Sequence, residues 1–488
     1  MYLGLDLGTS SVKAIVMSET GEVVAEASEP LPVLRPGPRM SEQNPEDWWR
    51  ATCDAVAALN DYALRIRAIG LSGQMHGAVL LDRRGDVLRN AILWNDGRSE
   101  PQCMALEAAI DVAGITGNRA MPGFTAPKLN WVREHERDIF ERTRTVLLPK
   151  DYLRYRMTGE YVSDLSDASG TLWLDVGARG WSDAMLAATD LSESSMPRLV
   201  EGSEVSATLH PGVAAEWGMA PVPVVGGAGD QAAGAVGAGA VARGTSFVSL
   251  GTSGVYFVPD TQYRPNPAGG VHAFCHALPG LWHQMSVILS AASALTWVAR
   301  LTGAASEEAL LAEVERSSVT TGPVYFLPYL SGERTPHNDA DALGAFVGLH
   351  HDVDRAQLGY AVLEGVAFAL ADGQRVLDDA GAEIGEVSVI GGGARSLYWG
   401  RILAAALARP LAYREDAAVG PALGAARLAA LGHGGGDPAD VCPPAPLAAE
   451  VTVSAADIDR ARARFAVYRR LYDDLKPRFA QLHDANAP

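Results

Sequence analysis

Lysine is almost missing from this chain: of 40 basic residues only Lys13, Lys128, Lys150 and Lys476 are lysines, against 58 acidic residues and a net charge of −18. So acidic a chain offers no basic face to a phosphate backbone or an anionic bilayer, so neither nucleic acid nor a membrane surface is expected as a partner. An anionic small ligand would have to be held by backbone N–H groups, a metal ion and a few local charges. Cysteine is scarce as well. Cys53, Cys103, Cys275 and Cys442 stand far apart with no CxxC pair, which points away from a disulfide framework or a zinc site and fits a reducing compartment. No apolar run approaches the ~20 residues that cross a bilayer, and the first residues read as a strand rather than a basic-then-apolar leader. A soluble, cytoplasmic protein is expected.

The common nucleotide-binding fingerprints are absent too. There is no Gly-Lys dipeptide and therefore no P-loop, and no GxGxxG for a dinucleotide site. Asp-Phe-Gly and His-Arg-Asp are also missing, which removes the protein kinases.

What is present begins with ample material for a core. Length alone, 488 residues, suggests roughly two to four domains, and 48% hydrophobic with 20% charged residues is an ordinary globular composition. Leu7-Gly8-Thr9-Ser10-Ser11-Val12 near the start returns as Leu250-Gly251-Thr252-Ser253-Gly254-Val255 near the middle. Each copy stands between two short apolar runs, the pattern of a β-hairpin with a turn of Gly and hydroxyl residues. Exposed N–H and O–H groups in such a turn suit phosphate oxygens. One turn per half suggests a duplicated fold gripping one polyphosphate.

Strands are expected at Tyr2–Asp6, Val12–Met17, Val23–Ser28 and Ile66–Ser72, with further short ones at Ala78–Leu81, Ile92–Trp94 and Val146–Leu148. Asn44-Pro45-Glu46-Asp47 opens a helix: Asn caps, Pro takes the first position and two acids face the positive end. Its buried stripe is read as Trp49, Thr52, Val56 and Leu59. Helices are expected at Ala126–Glu136, Asp151–Met157 (stopped by Gly159), Asp230–Gly239 and from Asp354 to about Asp379, followed by a strand at Glu386–Ile390.

Four motifs remain: Asp6-Leu7-Gly8-Thr9-Ser10-Ser11-Val12-Lys13, Gly229-Asp230-Gln231, Ser249-Leu250-Gly251-Thr252-Ser253-Gly254 and Ile390-Gly391-Gly392-Gly393-Ala394-Arg395. With Gln74-Met75-His76-Gly77, Leu93-Trp94-Asn95-Asp96-Gly97-Arg98, Met121–Lys128 and Leu330–His337 in their order, the chain resembles the FGGY carbohydrate kinases of the actin/hexokinase/heat-shock-chaperone ATPase superfamily, essentially end to end. The resemblance implies an α/β protein of two ribonuclease-H-like (actin/hexokinase-type ATPase) domains around a central cleft, residues 1–243 and 244–488. It is strongest to the members that turn ATP and D-xylulose into ADP and D-xylulose 5-phosphate with Mg²⁺. Kinases of ribulose, gluconate or glycerol are the near alternatives, and a non-catalytic ATP-dependent sugar sensor the far one. A homodimer is one assembly open to it.

The same resemblance implies roles for individual residues. Asp230 would be the general base, although its position is equally that of a helix-capping Asp. Asp6 would orient Mg²⁺ through water together with Asp230, or else merely close a turn. Gly8, Thr9, Ser10, Gly251 and Thr252 would cradle phosphates. Lys13 would touch phosphate or lie in solvent. Gly392 and Gly393 would admit adenosine, and Gly420–Ala426 would form a hinge helix. Met75 and His76 would contact the sugar, with Trp94 and Asp96 as further substrate contacts and Arg98 beside them. Ser331–Arg334 is left without a role. Ser11 and Gln231 depart from residues common in relatives, and neither removes an essential group.

Overall fold

In a computed structural model of the chain, residues 1–317, 322–415 and 420–485 are described. The first half builds β1 (Tyr2–Leu7), β2 (Ser11–Met17), β3 (Val23–Pro30), β4 (Ala68–Gly73), β5 (Val205–Thr208), β6 (Pro223–Val225) and β7 (Ala228–Gly229). They lie in the order β5-β6-β4-β1-β2-β3, with β7 also paired to β4. The second half builds β8 (Thr245–Leu250), β9 (Gly254–Asp260), β10 (His272–Cys275), β11 (Trp282–Ile288), β12 (Glu386–Ile390), β13 (Leu411–Arg414) and β14 (Leu447–Val451), ordered β10-β11-β9-β8-β12-β13-β14.

Laid side by side, the two sheets share one plan. In each, a parallel trio (β6-β4-β1; β13-β12-β8) carries an antiparallel hairpin partner on one side and an antiparallel edge strand on the other. The α/β fold is a duplicated ribonuclease-H-like unit. Its two hairpins are close but not identical. Leu7 pairs with Val12, whereas Leu250 pairs with Gly254, so the second turn is one residue tighter.

The helices that matter to the site are α1 (Pro45–Ala57), α2 (Thr125–His135), α3 (Pro149–Thr158), α4 (Leu165–Ala168), α5 (Asp230–Ala238), α6 (Ala292–Leu301), α7 (Arg355–Asp379) and α8 (Pro421–Gly434). Asn44 caps α1 by accepting the Glu46 N–H at 3.1 Å, with Pro45 at the first position. Asp354 and Gln357 close a reciprocal capping box at the start of α7, whose long apolar face runs through the core of the second half. On α1 it is Trp48, fully buried, that faces the core; Trp49 is half-buried and stacks on Trp217. The expected strand at Ile92–Trp94 is only Ala91–Ile92, and Trp94 falls in the turn beyond it. Among the described residues no helix is long and apolar enough to cross a membrane.

One helix breaks the simple division into halves. α8 comes from the second half of the sequence yet packs on β1 and β4 of the first sheet and along α5. Glycine makes the approach: a Cβ on Gly70 would lie 1.8 Å from the Ala425 carbonyl oxygen, and one on Gly424 would lie 1.8 Å from that of Ala233. Arg427 of α8 donates to the Val236 and Gly237 carbonyls at 3.0 Å each, placing a cation at the carboxyl end of α5. Elsewhere the halves meet through β10. Asn118 exchanges two hydrogen bonds with the Ala273 backbone, at 2.9 and 3.1 Å, and Ser169 Oγ accepts the Cys275 N–H at 3.0 Å.

Candidate active site

Sheet register carries two distant acids to one place. Asp6 sits opposite Ser72 on β4, Ser72 sits opposite Ala228 on β7, and Asp230 begins α5 immediately after β7. Both carboxylates therefore stand at the carboxyl ends of parallel strands that flank β4, where α/β sheets place ligands. Both remain partly accessible. Burial pushes Asp230 up to about 7, helped by the negative charge of Asp6, while hydrogen bonds from Gln231 pull the other way. Burial likewise pushes Asp6 up to about 6, against the Ser72 hydroxyl, which donates at 2.9 Å, and the charge of Lys13. Gly229, not Asp230, occupies the capping position of α5. Two partly accessible carboxylates that repel each other form an oxygen donor set fitting a hydrated Mg²⁺.

Met75 and His76 continue from β4 beside this pair. Met75 is buried against Gly229, where a Cβ would meet its sulfur at 2.8 Å. His76 holds a left-handed backbone, φ 67°, which a non-glycine residue adopts only when its surroundings enforce it. Lys128 of α2 supplies the enforcement: its buried ammonium donates to the His76 carbonyl at 2.8 Å and to the Gly123 carbonyl at 2.7 Å. Burial lowers Lys128 to about 7. The His76 ring is kept neutral, lowered to about 3 chiefly by burial. Its Nδ1 lies 2.7 Å from the Gly170 carbonyl. A carbonyl only accepts, so Nδ1 bears the hydrogen and Nε2 presents a lone pair. Phe124 meets this ring edge-on at 4.7 Å.

Trp94 and Asp96 serve their own neighbours. The Trp94 indole N–H donates to Thr9 Oγ1 at 2.9 Å, and Thr9 donates onward to Gln74 Oε1 at 3.1 Å. Gln43 joins them, donating to the Thr9 carbonyl at 2.7 Å and accepting from Gln74 and Trp48. Asp96 corrects the expectation that it touches substrate. It is buried, and its four lone-pair positions are taken by the Ser41 N–H and by the N–H, Nε and Nη2 of Arg98. Arg98 in turn pairs with Glu42 and lies over the Trp131 ring. Asp96 braces this wall and has nothing left for a sugar hydroxyl.

In the two hairpin turns the Gly8 and Gly251 N–H groups are spent internally, on Ser11 O at 3.0 Å and Ser253 O at 3.1 Å. Among the described residues the N–H groups of Thr9, Ser10, Thr252 and Ser253 meet no protein acceptor, and Ser10 and Thr252 are exposed. The start of α6 fastens the second turn from behind: the Ala291 and Ala292 N–H groups donate to Thr252 O and Gly251 O, at 2.9 and 2.8 Å. Lys13, opposite Asp6 on β2, is half-exposed and paired with Glu26 at 2.8 Å. Gly391 and Gly393 press against Leu250 at the root of the second turn, whereas Gly392 faces open space.

Sequence reasoning passed over one cluster. Lys150 of α3, fully buried, contacts Asp151 at 2.5 Å, Asp164 at 2.8 Å and Asp167 at 3.6 Å. The three carboxylates could together hold a metal ion, but the ammonium stands among them. Burial would lower that ammonium's pKa; the carboxylates outweigh it and hold Lys150 above its ordinary value. Asp167, with no hydrogen bond to either oxygen, is raised well above the usual range by burial first, and Asp230 is among the charges adding to the effect. Through Ser166, which accepts the Gly229 N–H at 3.2 Å and donates to Asp164 at 2.5 Å, the cluster anchors the backbone just before Asp230. Its one sequence signal was the rarity of lysine.

Duplicated ribonuclease-H-like halves, with strand-end carboxylates beside a turn of free N–H donors, define a phosphotransferase of the actin/hexokinase ATPase fold. Comparison with known proteins narrows the class. The chain belongs to the FGGY family of carbohydrate kinases: residues 1–237 match the family's N-terminal domain and residues 246–433 its C-terminal domain. It is 53% identical over 484 residues to the xylulose kinase of Escherichia coli (strain K12), covering 98% of this chain and 100% of that one. Among solved structures it is similar to a xyloylose kinase from Brucella ovis, with a TM-score of 0.95 and 51% identity over 98% of this chain and 99% of that one. A xylulose kinase from Rhodospirillum rubrum follows, with a TM-score of 0.90 and 30% identity over the same shares.

Proposed function

We infer that this protein transfers the γ-phosphoryl group of ATP to the 5-hydroxyl of D-xylulose, releasing ADP and D-xylulose 5-phosphate. The observation that carries the reading is the convergence of Asp6 and Asp230 at strand ends on either side of β4, in a chain alike over its whole length to xylulose kinases. Asp230 acts as the base. A carboxylate held at about 7 is matched to a neutral medium, ionised often enough to accept a proton and basic enough to draw it from a hydroxyl.

The rest of the machinery positions. Phosphoryl transfer asks the protein mainly to align groups and balance charge. Thr9, Ser10, Thr252 and Ser253 offer N–H donors to phosphate oxygens, and Gly392, which faces open space, leaves room for the base and ribose of ATP. Asp6, with Asp230, would hold Mg²⁺ through its water shell; when bound, that ion offsets the charge of the transferring phosphate. His76 accepts a sugar hydroxyl hydrogen at Nε2, and Met75 lines the apolar side of the carbon chain. The four unpaired thiols and the ATP requirement support a cytoplasmic setting.

The test is identification of the product by mass after incubation with Mg-ATP and D-xylulose, beside L-ribulose, gluconate and glycerol. A phosphorylated pentulose formed in step with ADP is expected. ADP release without any phosphorylated sugar would overturn the reading.

A further inference from the structure

The loop Ser331–His337, which no step above uses, delivers one charge to the sugar side of the site. Glu333 is buried, and its Oε1 accepts the N–H groups of Arg334 at 2.7 Å and Leu289 at 3.0 Å. Thr335 adds two bonds to Val287 and one to the Gly270 carbonyl, each at 3.0 Å. The loop is thereby strapped to the end of β11, and Arg334 is aimed at the junction of the halves. There Arg334 Nη1 lies 3.4 Å from His272 Nε2. His272 stacks on Phe274 at 5.5 Å and meets Phe124 at 5.7 Å, and Phe124 meets His76.

Two things about this guanidinium call for a ligand. Among the described residues it forms no ion pair, and His272 is its one side-chain partner. Its neighbour Glu333 spends Oε1 on the backbone N–H groups of Leu289 and Arg334 rather than on the guanidinium, and burial lifts that carboxyl to about 8. After burial, the charges of Lys128 and Arg334 both lower the pKa of the His76 ring. Lys128 already donates to two carbonyls. Arg334 thus stands toward the His76 end of the site with donors to spare.

The substrate supplies the matching group, an argument that rests on the D-xylulose reading above. In a five-carbon 2-ketose, ring closure consumes O5, so a 5-hydroxyl free to be phosphorylated exists only in the open chain. The bound sugar therefore carries an unmasked C2 carbonyl, whose oxygen accepts hydrogen bonds and donates none. His76 Nε2, an acceptor, cannot serve it; a guanidinium, with donors only, can. We propose that Arg334 reads the C2 carbonyl oxygen of the open-chain ketose and is the residue by which the second half of the chain selects a ketose over the corresponding polyol.

The test compares Arg334→Met, Arg334→Lys and Arg334→Gly with the unaltered enzyme. Dissociation constants for D-xylulose, xylitol and D-arabinitol come from titration calorimetry, and KM values for D-xylulose and ATP from ADP release. The two polyols are the same carbon chain with C2 reduced. Losing a charged hydrogen bond should weaken D-xylulose by about 10- to 100-fold, while both polyols and the KM for ATP stay within about twofold. Lysine, lacking the planar fork, should recover only part of the loss, and added ethylguanidinium should restore the glycine variant. A role in folding alone would lower the thermal midpoint and weaken all ligands together. Unchanged D-xylulose affinity, or polyols weakened in parallel, overturns the assignment while the kinase reading stands. An unaltered enzyme that does not phosphorylate D-xylulose overturns both.

Discussion

The charge of Asp6 helps hold the carboxyl of Asp230 near neutrality across a single intervening strand. Burial does the larger share, and the two effects act in one direction. A lone surface aspartate would be too weak a base to take a proton from a sugar hydroxyl. This one is tuned by its place in the sheet.

Replacing that carboxylate should separate chemistry from binding. Asp230→Asn keeps the shape and removes the base, so kcat should fall by about 10²- to 10⁴-fold. D-xylulose affinity, measured by calorimetry, should stay within a few-fold. Undiminished turnover would remove Asp230 from the mechanism.

The same variant should be more stable than its parent in alkali. A carboxyl raised from 3.8 to about 7 in the fold is ionised first in the unfolded chain, so stability is lost as pH climbs between those values. Asp230→Asn lacks that loss. The difference in unfolding free energy should be nil below pH 3.8 and grow to at most roughly 4 kcal/mol above pH 7. Urea titrations of ligand-free protein at pH 4, 6 and 8 would measure it, and a gap that narrows with rising pH would contradict the assignment. The acid limb of kcat/KM should fall in the same region.

Lys150→Met should be among the most damaging changes outside the reacting groups. It strands three buried carboxylates, a loss of about 3–5 kcal/mol. Because the cluster anchors Gly229 through Ser166, variants that still fold should lose kcat with little change in KM for ATP. Denaturant midpoints and steady-state rates together would check it, and a midpoint shift of less than about 1 kcal/mol would count against the cluster.

Gly424→Ala adds one methyl group against the backbone of α5. No side chain there can move aside, so α8 must shift, at a cost near the upper end of the roughly 1–3 kcal/mol seen for overpacking. Thermal unfolding would report a lower midpoint. An unchanged one would mean that the helices stand further apart than described.

The sequence spoke most clearly where structure is local. The paired hairpins, the Asn44 cap, the long helix after Asp354 and the strand Glu386–Ile390 depend on near neighbours and periodicity, which a single chain displays. Family resemblance singled out Asp6 and Asp230, and sheet register brings them together. What stayed hidden depends on partners far along the chain. Asp96 looks like any motif acid until Ser41 and Arg98 are seen to occupy it. Trp94 gives no sign in the sequence that its N–H is bonded to Thr9, a bond that leaves its exposed ring face open. Lys150 gives no hint of three carboxylates when only Asp151 adjoins it. Choosing Trp49 over Trp48 was an error of one position in a helical stripe, where adjacent indoles compete for the same face.

The crossing of α8 onto β1 and β4 bears on how the molecule comes into being. The first sheet cannot receive its roof until residue 434 has been synthesised, so a nascent chain released near residue 243 would show bare Gly4 and Gly70 to the solvent. Fragments cut at the midpoint should dissolve poorly alone and recover together. Duplication gave the two halves a common plan, but the exchanged helix has made them interdependent during assembly.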